Sequence, residues 1–184
     1  LAPRIDHTLL KPQATGLQVR HVISQAMQYG FASVCVNGFF VANVAKTLHG
    51  SDVKTCCVVD FPLGANKAIV KAMQATSIVK DGAQEIDFVA HLPHLIKKDV
   101  PAAKAEYLEI VKAARAVNPR VIIKVIVESA CLMADVDEVE AEARIQAACQ
   151  AVRESGCDFI KTSTGFHPAG GATVQAVRLM KKHS

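Results

Sequence analysis

Residues 120–128 read RVIIKVIVE. Six of these nine residues are β-branched, and the run is bounded by Pro119 and Ser129, which predicts a strand. Side chains alternate across a strand, so one face carries Val121, Ile123, Val125 and Val127. The other carries Ile122, Lys124, Ile126 and Glu128. A strand covered by helices on both faces is apolar on both. This one offers a single clean face to helices and turns a lysine and a glutamate the other way.

The same division recurs along the chain. In QEIDFV, Glu85, Asp87 and Val89 oppose Ile86 and Phe88. In FASVCVN, Ser33, Cys35 and Asn37 oppose Ala32, Val34 and Val36. In RIDHTLL, Asp6 and Thr8 oppose Ile5 and His7. In DFIKTS, Phe159, Lys161 and Ser163 share one face. KTCCVVDFP supplies a further strand, and amphipathic helices fill the intervals. Thr15 and Gln18 form a capping-box pattern before LQVRHVISQAMQYG, with Gly30 as the C-terminal stop. Strand starts recur at roughly 23–38 residues, the size of a βα unit. The expected class is α/β with a parallel sheet. The polar groups sit mostly toward strand C-terminal ends, which favours a (β/α) barrel over a doubly wound sheet.

Composition narrows the function classes. The chain has 184 residues, 51% hydrophobic and 21% charged, with a net charge of +4, and is expected to form one domain over 1–184, complete or part of a larger one. No basic run marks a nucleic-acid surface, and aromatic residues total only 5%. No apolar run approaches the roughly 20 residues of a membrane span, and LAPRIDHTLL lacks the features of a signal peptide. Six cysteines without C-x-x-C spacing read as buried thiols in a reducing cytoplasm.

Lys124 and Lys161 would occupy neighbouring barrel strands, with Asp87 and Asp6 at hand. Burial and a second cation both favour a neutral amine, which is a nucleophile toward carbonyls. The competing reading makes Lys161–Asp87 and Lys124–Asp6 structural ion pairs. TSTGFHPAGG (162–171) could cradle a phosphate on backbone N–H groups, whereas FPLGANK (61–67) reads as a βα turn. His91 and His94 form H-x-x-H in HLPHL, with His7 and His167 near strand ends. Pro93 argues against a helix there, so no metal ligand set is assigned.

Taken in order, IDHTLLKPQAT (5–15), VCVN (34–37), FPLG (61–64), GAQEIDFV (82–89), IKVIVE (123–128), FIKTSTGF (159–166) and GGAT (170–173) resemble the deoxyribose-phosphate aldolase family. The resemblance runs the length of the chain. It implies a TIM-type (β/α)8 barrel and a lyase of carbohydrate degradation. Such an enzyme reversibly cleaves 2-deoxy-D-ribose 5-phosphate to D-glyceraldehyde 3-phosphate and acetaldehyde, in deoxynucleoside catabolism. It implies no metal or organic cofactor and leaves a homo-oligomer open. Lys161 would form the Schiff base and Asp87 would move protons. Lys124 and Asp6 would complete the polar network, Cys35 would line the site, and Thr164 and Gly165 would face the substrate.

The family continues with a seventh strand carrying a second catalytic lysine and an eighth leading to a phosphate loop. Neither motif follows VRLMKKHS here. The expectation is six βα units with the last two missing, open edges at the first and sixth strands, and reduced activity. Lys124 would then be the cation that lowers the Lys161 pKa. An inactive fragment acting as an assembly partner is the alternative, with a metal-dependent lyase as another.

Overall fold

Helix and strand alternate as the hydrophobic periodicity requires. The computed structural model describes residues 1–184. The strands are β1 (Asp6–Leu9), β2 (Ser33–Val36), β3 (Lys54–Val59), β4 (Glu85–Val89), β5 (Ile122–Ile126) and β6 (Phe159–Lys161). Between them lie α1 (Gly16–Tyr29), α2 (Val41–Thr47), α3 (Ala68–Lys80), α4 (Leu92–Ile96), α5 (Val100–Val117), α6 (Ser129–Met133) and α7 (Glu138–Ser155). A last helix, α8 (Val174–His183), follows β6. All strands are parallel and paired in sequential order from β1 to β6.

The sheet is curled. Four strand spacings separate β1 from β5, roughly 19 Å in a flat sheet. Yet Lys124 of β5 lies 2.7 Å from Asp6 of β1. β1 and β6 do not pair, so the six strands form a half-barrel with two edges. The helices pack on the outer face. Val34, Val36, Ile86, Phe88, Ile123 and Val125 meet Val22, Ile23, Ile78, Ile110 and Ile145 in one apolar core. This is the parity read from RVIIKVIVE.

Local signals decide the element ends. Thr15 caps α1 through a complete capping box with Gln18, and Gly30 closes it in the left-handed conformation at φ 66°. Asp137 caps α7, and Gly156 ends it at φ 76°.

Two expectations need correction. The HLPHL segment does form a helix, the single turn α4, with His91 as its N-cap residue and Pro93 in its first turn, where a missing N–H costs nothing. The polar groups are not confined to C-terminal strand ends, since Asp6 and Glu85 open their strands. Asp6 is level with Lys54, Asp87 with Val58, and Lys161 with Ile126, two residues beyond Lys124. The stagger is the shear of a tilted barrel, and it brings residues at different register to one height. The expected open edge at β6 is present, and it leaves Phe159 57% exposed.

Candidate active site

The concave face of the half-barrel gathers two lysines and three carboxylates. Lys124 reaches Asp6 at 2.7 Å, Glu85 at 2.6 Å and Asp87 at 3.3 Å. Lys161 donates to Asp87 and lies 3.7 Å from Asp6. Ser33 donates to the second oxygen of Asp6 at 2.8 Å. Cys56 donates to Asp87 at 3.4 Å, beside Cys35. Asp87 has no exposed side-chain surface, while Lys161 keeps 33% of its own. The nucleophile candidate is therefore the accessible member of a buried network, on the wall of a cavity of about 530 Å³.

Four of the residues expected from the sequence, Asp6, Cys35, Asp87 and Lys124, thus lie around Lys161. The protonation expected of it does not hold. Burial works to lower the Lys161 pKa, but Asp87, against its ammonium group, outweighs burial and raises it above the ordinary value. Lys124 shifts the same way: burial lowers it, and Asp87, Asp6 and Glu85 reverse the sign. Cys56 adds no charge at neutral pH, because its hydrogen bond with Cys35 and its burial push its thiol far up. Asp6 is destabilised as an anion by burial, yet Lys124, Ser33 and Lys161 hold its carboxyl below the usual 3.8. Three carboxylates against two ammonium groups explain the direction. The lysines rest protonated.

Thr164 and Gly165 lie beyond β6, in the loop at the barrel mouth. The Thr164 hydroxyl donates to Glu128 at 2.5 Å, and its amide donates to the same carboxylate. Thr164 Oγ1 in turn accepts from the Phe166 amide at 3.1 Å. The loop is thus clasped to the end of β5, and the Thr164 amide is engaged by the protein itself. Gly165, at φ 79°, has open space around it. The adjacent mouth is a cavity of about 680 Å³ with an aromatic wall of Phe39, Phe40, Phe61 and Phe166.

Cys35, Cys56 and Asp87 are the one trio whose ligand atoms lie within 4.8 Å of one another. Lys124 stands 3.9 Å from Cys56, and Lys161 rests on Asp87. Two adjacent ammonium groups and the protonated Cys56 thiol oppose a bound cation there. His91 and His94 meet edge-on with ring centroids 4.7 Å apart, and no third ligand joins them.

Residues 2–183 match the family described as DeoC/LacD family aldolase. The chain belongs to that family. This aldolase is 44% identical over 182 residues to the deoxyribose-phosphate aldolase of Caldanaerobacter subterraneus subsp. tengcongensis, covering 99% of this chain and 74% of the relative. It is 45% identical over 178 residues to that of Streptococcus suis, covering 97% and 75%. Among solved structures, QR15, an aldolase, superposes with a TM-score of 0.84 at 35% identity, over 99% of this chain and 76% of the other. The tetrameric deoxyribose phosphate aldolase from Aeropyrum pernix gives 0.77 at 32% identity, over 90% and 65%. The aldolase described here thus spans about three quarters of the length of its curated relatives.

Sequence reasoning placed Glu85 and Glu128 on the inner face without giving them a role. It missed Cys56, because KTCCVV has no clear polar alternation. It also missed Lys71, which lies in α3 and was not singled out. The register of β3 against β2, pairing Cys56 with Cys35, was the signal that would have found the thiol.

Proposed function

We propose that this aldolase cleaves 2-deoxy-D-ribose 5-phosphate reversibly to D-glyceraldehyde 3-phosphate and acetaldehyde through a Schiff base on Lys161. One observation carries the reading: an accessible lysine amine held against a fully buried carboxylate and a second lysine, inside a barrel wall. In the synthetic direction the Lys161 ammonium first passes a proton to Asp87. The neutral amine then adds to the acetaldehyde carbonyl. The resulting carbinolamine loses water as Asp87 returns the proton, and a protonated imine remains. Asp87, a carboxylate again, takes a methyl proton and leaves an enamine, whose carbon attacks the acceptor aldehyde while that proton passes to the new alkoxide oxygen. Water releases the product and restores the amine. Lys124 holds Asp6, Glu85 and Asp87 in place and supplies positive charge beside the developing imine. Cys35 lines the site, and Thr164 and Gly165 sit on the substrate's path at the mouth. The scheme requires no metal or organic cofactor.

No helix is long and apolar enough to cross a membrane, and six free thiols suit a reducing cytoplasm. A homo-oligomer is the assembly we expect, on the precedent of the tetrameric Aeropyrum pernix relative.

The test is borohydride reduction in the presence of acetaldehyde, followed by peptide mass mapping. A reduced two-carbon adduct on Lys161 is expected. An adduct on another lysine, or none, refutes the assignment.

A further inference from the structure

A second buried lysine lies outside the site and has no part in the chemistry above. Lys71, in α3, is fully buried. Its ammonium donates to Gly64 O at 2.9 Å, Val89 O at 2.8 Å and Glu106 Oε1 at 2.5 Å. Asp60 Oδ2 is 3.5 Å away. These partners come from three places: the 60–67 loop, with Asp60 and Gly64, the end of β4, and α5. The other Glu106 oxygen accepts from the His91 amide at 3.3 Å. A buried lysine whose donors go to backbone carbonyls of two elements and a carboxylate of a third acts as a clasp.

The clasp holds a loop that is already constrained. Asp60 has φ 51°, and its carboxylate accepts from the Asn66 amide at 3.0 Å. Gly64 has φ 63°, and a Cβ there would lie 2.4 Å from Ala90 O, so the loop is pressed against the end of β4. At its tip Phe61 and Pro62 form part of the mouth. The Phe61 ring meets Phe166 edge-on, with centroids 5.2 Å apart. Phe166 is two residues beyond Thr164, in the loop that follows Lys161. The clasp therefore reaches the mouth through Phe61, and the loop after Lys161 through Phe166.

We propose that Lys71, together with Glu106, is a positioning residue pair that sets the height of the 60–67 loop and places Phe61 against the sugar end of the substrate. The proposal rests on the aldolase reading for its kinetic consequence, and on the structure alone for its effect on the loop. Acetaldehyde is too small to use the mouth, so imine formation should not depend on the clasp. Binding of the five-carbon sugar phosphate should.

The test uses the charge-balanced variant Lys71→Met/Glu106→Leu, which leaves neither charge buried alone. Amide hydrogen exchange over residues 61–66 is expected to accelerate at least about tenfold, with β3 and β4 unchanged. The KM for 2-deoxyribose 5-phosphate is expected to rise about tenfold, while the rate of borohydride trapping with acetaldehyde stays within about twofold. In a Phe61→Ala background the double change should raise KM no further, because both act through the same ring. Glu106→Gln keeps an acceptor for Lys71 and serves if the double variant does not fold, with the same direction and a smaller size. Unchanged exchange overturns the proposal outright. Faster exchange with unchanged KM, or additive effects with Phe61→Ala, shows a clasp that only stabilises and also overturns it. Absence of trapping in the wild type refutes the aldolase reading instead, and exchange still decides the loop.

Discussion

Replacing Lys124 with methionine tests the electrostatics of the site. Both ammonium groups address the same Asp6 oxygen, Lys124 at 2.7 Å and Lys161 at 3.7 Å. They therefore stand no more than about 6 Å apart, where two unit charges repel by roughly 3 kcal/mol at an effective dielectric constant of about 20. Lys161 is one-third exposed, so solvent screening reduces this to about 1.5 kcal/mol. That repulsion joins burial in opposing the carboxylates. Without Lys124, Asp6, Glu85 and Asp87 act on Lys161 alone and hold its proton more tightly. Imine formation at pH 7.5 should fall by about tenfold, and its pH profile should move to higher pH. Lys124→Arg keeps the charge and should stay within about threefold of wild type. The assay is the initial rate of borohydride trapping with acetaldehyde between pH 6 and 10, on samples shown folded by circular dichroism. A Lys124→Met profile that is unmoved, or displaced to lower pH, refutes the charge argument.

Glu128 sits at φ 44° and is 1% exposed, with Thr164 as its partner. Glu128→Ala loses the hydrogen bonds and keeps the strain, whereas Glu128→Gly loses the bonds and relieves it, so chemical denaturation should find the glycine variant more stable by about 1 kcal/mol. The Asp6 carboxyl is held below its usual 3.8 by Lys124, Ser33 and Lys161 against the opposing effect of burial. Its contribution is present above pH 3.8 and lost as pH falls through the lowered value, so Asp6→Asn should be less stable at pH 7 and converge with wild type in acid. Tyr107 is fully buried with an unpartnered hydroxyl. Tyr107→Phe keeps the edge-on contact with Phe88 and should be neutral or stabilising by up to about 1 kcal/mol, read as an unchanged or raised Tm. Lys161→Met should abolish trapping yet cost less stability in urea than Lys124→Met, which leaves three carboxylates around an apolar group and should cost about 3–5 kcal/mol.

The outer half of the fold was legible because it follows from alternation. Val121, Ile123, Val125 and Val127 could only face helices, and the same parity turned Lys124, Asp87 and Lys161 onto the opposite face. The partners of those residues were legible as candidates, since few charged side chains sat on inner faces. The sign of the Lys161 pKa was not. It depends on how many carboxylates reach the two lysines, and Glu85 and Asp6 reach Lys124 only because the sheet curls and its register is staggered. Neither curl nor stagger is written in any single strand. The single-turn helix at Leu92–Ile96 was hidden for a different reason. Five residues around a proline carry no periodicity to detect. Lys71 was hidden because a lysine in an amphipathic helix ordinarily marks the wet side, and its burial comes from carbonyls at Gly64 and Val89, far away in sequence.

The contacts of Lys161 and Lys124 fit both a structural ion-pair network and a Schiff-base site, and their geometry separates the two lysines. Lys124 is 10% exposed and has a carboxylate on three sides, so the fold depends on its charge. Lys161 lies at the open edge, one-third exposed, against a carboxylate that Lys124 and Cys56 already satisfy. Removing Lys161 leaves Asp87 paired, which a residue kept for stability would not do. An ammonium that the structure can spare, beside a buried base and facing a cavity, is placed to give up its proton and meet a carbonyl. Because it rests protonated, its reactivity depends on the transfer to Asp87. On the proposed mechanism the buried aspartate is therefore part of the nucleophile's activation and not only its counter-ion.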